Sequence, residues 1–246
     1  MLDFWLKTSG TWINIFTVIL GTTIGLLLRG RLPISMLQII TQGVGLLTLF
    51  LGVSMAGQLN QVQAGRIEGI ILGLLAIVMG GLLGEWWQLE PSLAAAGNWL
   101  QQRFKGGGSF TEGFVAASLL FCVGPMALLG SLNNGLTGDS TLLTLKATMD
   151  GLAAIALASS FGIGVGCSSL CILVYQGGIS LGAGVLAQSL SDPRDSPQVL
   201  LLSGVGGLMI LGIGLNLLKI AQIRVASFLP ALILAPILYA IAAGLL

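Results

Sequence analysis

Apolar runs of roughly twenty residues recur along this chain, separated by short polar stretches, and leave it few folds to adopt. A helix that spans lipid needs about 20 mostly apolar residues, because hydrocarbon offers no partner to an unpaired backbone amide. Such runs lie near 12–28, 36–57, 67–84, 112–131, 141–162, 163–189, 198–218 and 225–245. They are continuous rather than alternating, which excludes a transmembrane β-barrel. The expected architecture is all-α, a polytopic membrane helical bundle of about eight spans. Composition agrees: 8% of the 246 residues are charged, against about 25% in a soluble domain. Ten basic and nine acidic side chains are too few to cover a soluble exterior of this size. Glycine fills 37 positions, about twice its usual share, and small residues within apolar runs let helices approach closely in lipid.

The same arithmetic removes several functions. There is no histidine, so catalysis that needs imidazole is excluded. A net charge of +1 provides no electrostatic case for nucleic acid or another acidic partner. Cys122, Cys167 and Cys171 are odd in number and sit in apolar stretches, which argues against a disulfide framework. Asp3 and Lys7 precede the first apolar run and Arg29-Gly30-Arg31 follows it, where a signal peptide carries small residues. That run is expected to be a retained helix.

Lys and Arg in short loops stay on the cytoplasmic side. With eight spans, Arg29, Arg31, Arg103, Lys105, Lys219 and Arg224 collect on one side, and Lys7, Arg66 and Arg194 on the other. This six-to-three bias places both termini outside the cytoplasm. A segment 163–189 that dipped in and returned would make the ratio four to five and erase the bias, so a full crossing is expected.

Residues 85–110 differ in kind. Trp86, Trp87, Leu89, Leu93, Trp99, Leu100 and Phe104 alternate with Glu85, Gln88, Glu90, Gln101, Arg103 and Lys105, and Gly106-Gly107-Gly108 follow. The pattern predicts an amphipathic helix in the headgroup region, joining a first membrane half (1–84, three spans) to a second (111–246, about five spans). The halves carry weak likenesses: GLLTLFLG (Gly45–Gly52) in span two, GLMILGIG (Gly207–Gly214) in span seven and GLAAIALA from Gly151 in span five. In the topology above each match to span two relates helices of opposite direction, as in inverted-repeat transporters. Chance matching between Gly/Leu-rich helices produces the same picture. The small-residue faces also suit a homodimer.

An ionisable group within lipid is costly, so each is a functional candidate. Lys146 and Asp150 fall well inside a span, four apart and so on one face, and Asp139, seven before Lys146, is expected to extend that face. Such a pair is either a permanent structural salt bridge or a switchable charge that a cation displaces or a proton leaves. Ahead of it lie Gly124 and Pro125, then Ser131 and the pair Asn133 and Asn134. Proline removes a backbone donor and frees a carbonyl one turn earlier, giving a kinked helix or a broken span lining a wet cavity. In the sixth run Cys167, Ser168, Ser169 and Cys171 cluster, and Gln176-Gly177-Gly178 sits mid-span, where paired glycines are expected to open the helix. This reads as helix packing or as a polar substrate lining. Two thiols without a third ligand are a poor metal site, so neither metal nor cofactor is expected. Gly21-Thr22-Thr23-Ile24-Gly25 reads as a helix-contact motif, and Asn14, Gln42 and Asn216 as isolated polar positions that join helices.

CVGPMALLGSLNNGL, GDSTLLTLKATMDG, VYQGG and GLMILGIGLNLLKIAQIRVASFLPAL together resemble the bacterial inner-membrane "domain of unknown function 554" family (YqgA-like), over nearly the whole chain. The resemblance implies a plasma-membrane protein with a transport role, and brings neither a substrate nor catalytic residues. The expected function is a secondary transporter of a small polar solute or ion. The alternatives are a passive channel and a non-transporting scaffold. No Ser/Lys dyad, paired-Asp motif or His-rich site supports an intramembrane enzyme. The expected partners are the lipid bilayer and the solute or ion itself.

Overall fold

The computed structural model describes residues 4–29, 31, 33–104, 109–123, 125–186 and 196–244. Nearly all of them are helical. The order is α1 (Phe4–Arg29), α2 (Ile34–Ala56), a 3₁₀ turn (Gly57–Gln61), α3 (Gly69–Trp86), α4 (Leu89–Phe104), α5 (Phe110–Cys122) and α6 (Pro125–Thr137). Then follow α7 (Thr141–Phe161), α8 (Gly164–Cys167), α9 (Ser169–Leu186), α10 (Pro197–Leu217), a second 3₁₀ turn (Val225–Phe228) and α11 (Leu229–Gly244). Among the described residues the only strands are β1 (Gln63–Ala64) and β2 (Ile67–Glu68), a hairpin turned through Gly65 at φ 59°. Seven helices are long and apolar enough to cross a membrane, or eight if the bent pair α5 and α6 forms one span. The chain is therefore an all-α, multi-pass membrane protein.

The amphipathic segment is helical as α4, and its neighbours Trp86 and Trp87, like Trp99 within it, are exposed. The run Gly106–Gly108 lies outside the described residues. Contacts gather the chain into two compact units, Met1–Val44 with Ala94–Ser191, and Gly45–Leu93 with Asp192–Leu246. The sequence reading divides the chain at 85–110 into consecutive halves, whereas these units interleave along it. The physical reason is that small-residue faces pair helices remote in sequence.

In the first unit α1 lies on α7. A Cβ added at Gly21 would strike the carbonyl of Gly151, and one at Gly25 the carbonyl of Ile155 and Ala158. Gly10 sits in the same way against Leu143. Rising numbers meet rising numbers, so α1 and α7 run parallel, with backbones close enough that only glycine fits. The segment of α8 and α9 runs antiparallel to α1, since Thr22 meets Gly166 and Thr11 meets Gly177.

The bent pair α5 and α6 crosses the whole unit. At one end Gly113 lies against Phe161 and Gly164 against Phe110, beside the close of α7. At the other, Asn134 reaches Leu6, Ser9 and Gly10 at the start of α1. Its two helices meet at 59°. Helix α5 stops at Cys122, Val123 is extended (φ −85°, ψ 115°), and Pro125 opens α6, where its missing N–H costs nothing. The proline therefore starts a helix instead of kinking one. The paired glycines of α9 behave oppositely to expectation: the helix passes through Gly177 and Gly178 unbroken. Its backbone bonds survive there, and the turn occurs earlier, at Gly162 with φ 87°.

In the second unit the latter part of α2 runs antiparallel to α10. Gly45 meets Leu218, Gly214 meets Leu49, and Gly52 meets Gly207 and Leu211. The two glycine-rich stretches that resemble each other in sequence are thus each other's packing partners. Helix α3 packs in the same way on α11 and the turn before it, Gly80 on Ala231 and Gly84 on Ser227. Asn216 clamps the loop after α10, donating to the Ile223 carbonyl (2.7 Å) and accepting from its amide (2.8 Å). It joins a loop and not two helices.

Candidate functional site: a buried ion pair beside two amides

Helix α7 begins at Thr141, and on it Lys146 and Asp150 stand one turn apart. The Lys146 ammonium bonds to Oδ2 of Asp150. Both residues lie in the first unit's interior, at 7% exposure each. An ion pair so placed persists only when its remaining polar atoms are also met. The close approach of α1 supplies the third group. Asn14 stands seven residues before Gly21, two turns along the face that Gly21 presses onto α7, and its Nδ2 donates to Asp150 Oδ2 at 2.9 Å. The same nitrogen donates to Oε1 of Gln176 on α9 at 3.3 Å. Asn14 and Gln176 are fully buried. Two helices therefore meet at one carboxylate, and a third, α9, meets Asn14 through Gln176.

The polarity of this chain of bonds is set by Asp150. An ionised carboxylate only accepts, so Asn14 must present its NH₂, and Gln176 in turn its oxygen. Two atoms then remain without a partner: Asn14 Oδ1 and Gln176 Nε2. Thr11 Oγ1, one turn before Asn14 on α1, and Ser131 Oγ on α6 are also buried and unpaired. Buried polar atoms are nearly always hydrogen-bonded. The unpaired atoms on Asn14 and Gln176, the two amides beside the ion pair, accordingly leave room to meet something polar. The Phe121 ring, in the last turn of α5 before the break in span four, lies 6.0 Å from Lys146 Nζ and offers the ammonium a π-face.

The other expected residues divide sharply. Asn134 joins α6 to α1: Oδ1 accepts from Gly10 N (3.0 Å), and Nδ2 donates to the Leu6 carbonyl (3.0 Å) and Ser9 Oγ (3.1 Å). It thereby meets both members of one i, i−4 pair of the α1 backbone. Ser180 on α9 donates to the Ser131 carbonyl at 3.0 Å. Asp139 does not extend the charged face. It precedes α7, is exposed, accepts from Asn133 Nδ2 (3.0 Å), and takes both the amide (2.9 Å) and hydroxyl (2.6 Å) of Thr141. The helical period ends at Thr141, ahead of which Ser140 is not helical (φ −97°, ψ 7°), so Asp139 and Asn133 shape the turn into α7. Ser168 bonds its own α8 carbonyl at Val165 (2.6 Å). With Ser169 it lies seven or eight residues before Gln176, about 10–12 Å along the axis, away from the pair. Gly124 lies outside the described residues, and Pro125 is the first residue of α6.

Asn14 was legible only as an isolated polar position, Ser131 only as part of the stretch before the Asn pair, and Thr11 and Phe121 carried no signal of a site. A single carboxamide near the start of the first apolar run was the available hint. What it points at is a matter of packing.

Three comparisons bear on kinship. The family model described as "Protein of unknown function (DUF554)" matches residues 9–240. The "Uncharacterized membrane protein YdfK" of Bacillus subtilis (strain 168) is 30% identical over 228 residues, 93% of this chain and 94% of that protein. The "Uncharacterized protein YqgA" of Escherichia coli (strain K12) is 32% identical over 233 residues, 92% of this chain and 94% of the relative. No solved structure matches the chain.

Proposed function

Since this chain belongs to the DUF554 family of multi-pass membrane proteins, we propose that it is a secondary transporter of a small polar solute or ion in a bacterial inner membrane. The observation that carries this reading is the Lys146–Asp150 pair, buried in a membrane span and surrounded by the unpaired atoms Asn14 Oδ1 and Gln176 Nε2. A structural salt bridge is served best by partners that satisfy it completely. One left among orphan donors and acceptors suits a site that is sometimes filled. Lys146 and Asp150 supply the switchable charge, Asn14 holds the carboxylate, and the free atoms of Asn14 and Gln176 meet the solute. The break between α5 and α6 sets Phe121 beside the ammonium. Unwound backbone at membrane depth is tolerated next to protein or a wet cavity. The basic residues Arg29, Arg31, Arg103, Lys105, Lys219 and Arg224 mark the cytoplasmic side, so both termini face away from the cytoplasm.

The test is flux into proteoliposomes holding the full chain, with a panel of radiolabelled small polar solutes and monovalent ions under imposed proton and sodium gradients. Gradient-dependent uptake that disappears in Asp150→Asn, with protein of unchanged elution from gel filtration, supports the reading. Normal gradient-coupled uptake by Asp150→Asn overturns the role of the pair. Flux indifferent to both gradients identifies a passive channel.

A further inference from the structure

We infer that the Lys146 ammonium is a tethered stand-in for a monovalent metal cation, and that Asp150, Asn14 Oδ1 and Thr11 Oγ1 bind that cation when the ammonium leaves. The inference rests on the transport reading and names the ion that works the site.

The positions of the two charges on α7 are unequal. Lys146 is five residues past Thr141, about 7.5 Å along the axis, within reach of the helix's polar end for a flexible four-carbon stem. Asp150 is nine residues in, about 13.5 Å, near the middle of a hydrocarbon layer about 30 Å thick. Side chains on a helix lean toward its N-terminus. Lys146 instead folds the other way, toward Asp150 one turn later. Released, it swings toward water at the Asp139 end without any movement of the helix, while the carboxylate stays behind in the interior. Among the described residues Asp150 is the only buried carboxylate, and one negative charge in the interior needs one positive charge beside it. A monovalent cation replaces the ammonium like for like, whereas a divalent one leaves an uncompensated charge.

The ligands are oxygens, which suit a hard ion. Asn14 is tied to Asp150 through Nδ2, which fixes its orphan Oδ1 in the neighbourhood of that carboxylate. Thr11 Oγ1, fully buried and unpaired, sits one turn away on the same helix. Both are acceptors without an assigned donor, which an ammonium occupying Oδ2 alone does not explain.

The experiment is thermal unfolding of the detergent-purified full chain titrated with LiCl, NaCl or KCl against choline chloride, at constant pH and ionic strength. At least one metal should raise Tm where choline does not. Occupancy by Lys146 lowers the apparent affinity by the fraction of time that the site is free. Lys146→Gln should therefore begin less stable and respond to that metal at a midpoint lower by about tenfold. Asp150→Asn should be indifferent. If Lys146→Gln does not fold, Lys146→Arg reads the same competition in reverse, since a guanidinium grips a carboxylate through two bonds, and its midpoint should rise. The inference is overturned if wild type and the Lys146 variants all ignore the metals, if the midpoint does not move with the competitor, or if Asp150→Asn responds like wild type. Metal-dependent stability without any flux rejects the transport reading alone, and coupled flux without metal-dependent stability rejects this inference alone.

Discussion

Asn14 donates to Asp150 at 2.9 Å across the contact between α1 and α7, joining residues 136 positions apart. The bond exists because Gly21 and Gly151 permit two parallel helices to touch backbone to backbone.

Removal of that donor is the most direct perturbation. Asn14→Leu leaves Asp150 with Lys146 alone and deprives Gln176 Oε1 of its partner. The expected loss is about 1–3 kcal/mol, read as a lowered urea or thermal midpoint of detergent-solubilised protein. Transport by the variant should fall with it.

The glycine contact has its own control. Gly21→Ala places a methyl group on the Gly151 carbonyl and 3.2 Å from Ala154 Cβ, and overpacking of this kind costs about 1–3 kcal/mol. Gly43→Ala in α2 meets nothing within 4 Å. It should leave the thermal midpoint unchanged or raise it slightly, since alanine favours a helix over glycine by up to about 1 kcal/mol. Equal loss in both variants would contradict the close approach of α1 to α7.

Asn134 separates stability from chemistry. Its three bonds to α1 are remote in kind from the ion pair. Asn134→Leu should destabilise the protein by about 1–3 kcal/mol. Whatever protein remains folded should retain the response of wild type to Lys146 and Asp150 substitutions, as measured by unfolding of the combined variants.

The broken span makes a prediction about sidedness. Glu112 lies in the first turn of α5, and Asp139 follows α6 at the far end of the same crossing. In a protein with Cys122, Cys167 and Cys171 replaced by serine, cysteine at 112 should react with an impermeant maleimide only from the cytoplasmic face. Cysteine at 139 should react only from the opposite face. Labelling of both from one side would mean that α5 and α6 turn back.

The membrane bundle was readable without coordinates because hydrocarbon imposes a one-dimensional rule. Every span must carry about twenty apolar residues in succession, and that rule writes the helices, the turn signals and the loop charges directly along the chain. The i, i+4 spacing likewise put Lys146 and Asp150 on one face before any neighbour was known. Asp139 escaped the same logic because it lies two residues before α7 starts at Thr141, outside the helical period.

What tertiary structure alone decided is which helices meet. Glycine shows that a close approach occurs but not with what, so the pairing of α1 with α7 and of α2 with α10, and the interleaved units that follow, have no local signature. Asp150 is bonded from α1 by Asn14, which Gln176 of α9 meets in turn. Their carboxamides look alike in any apolar run, and they acquire a role only where packing sets them against a charge that has nowhere else to turn.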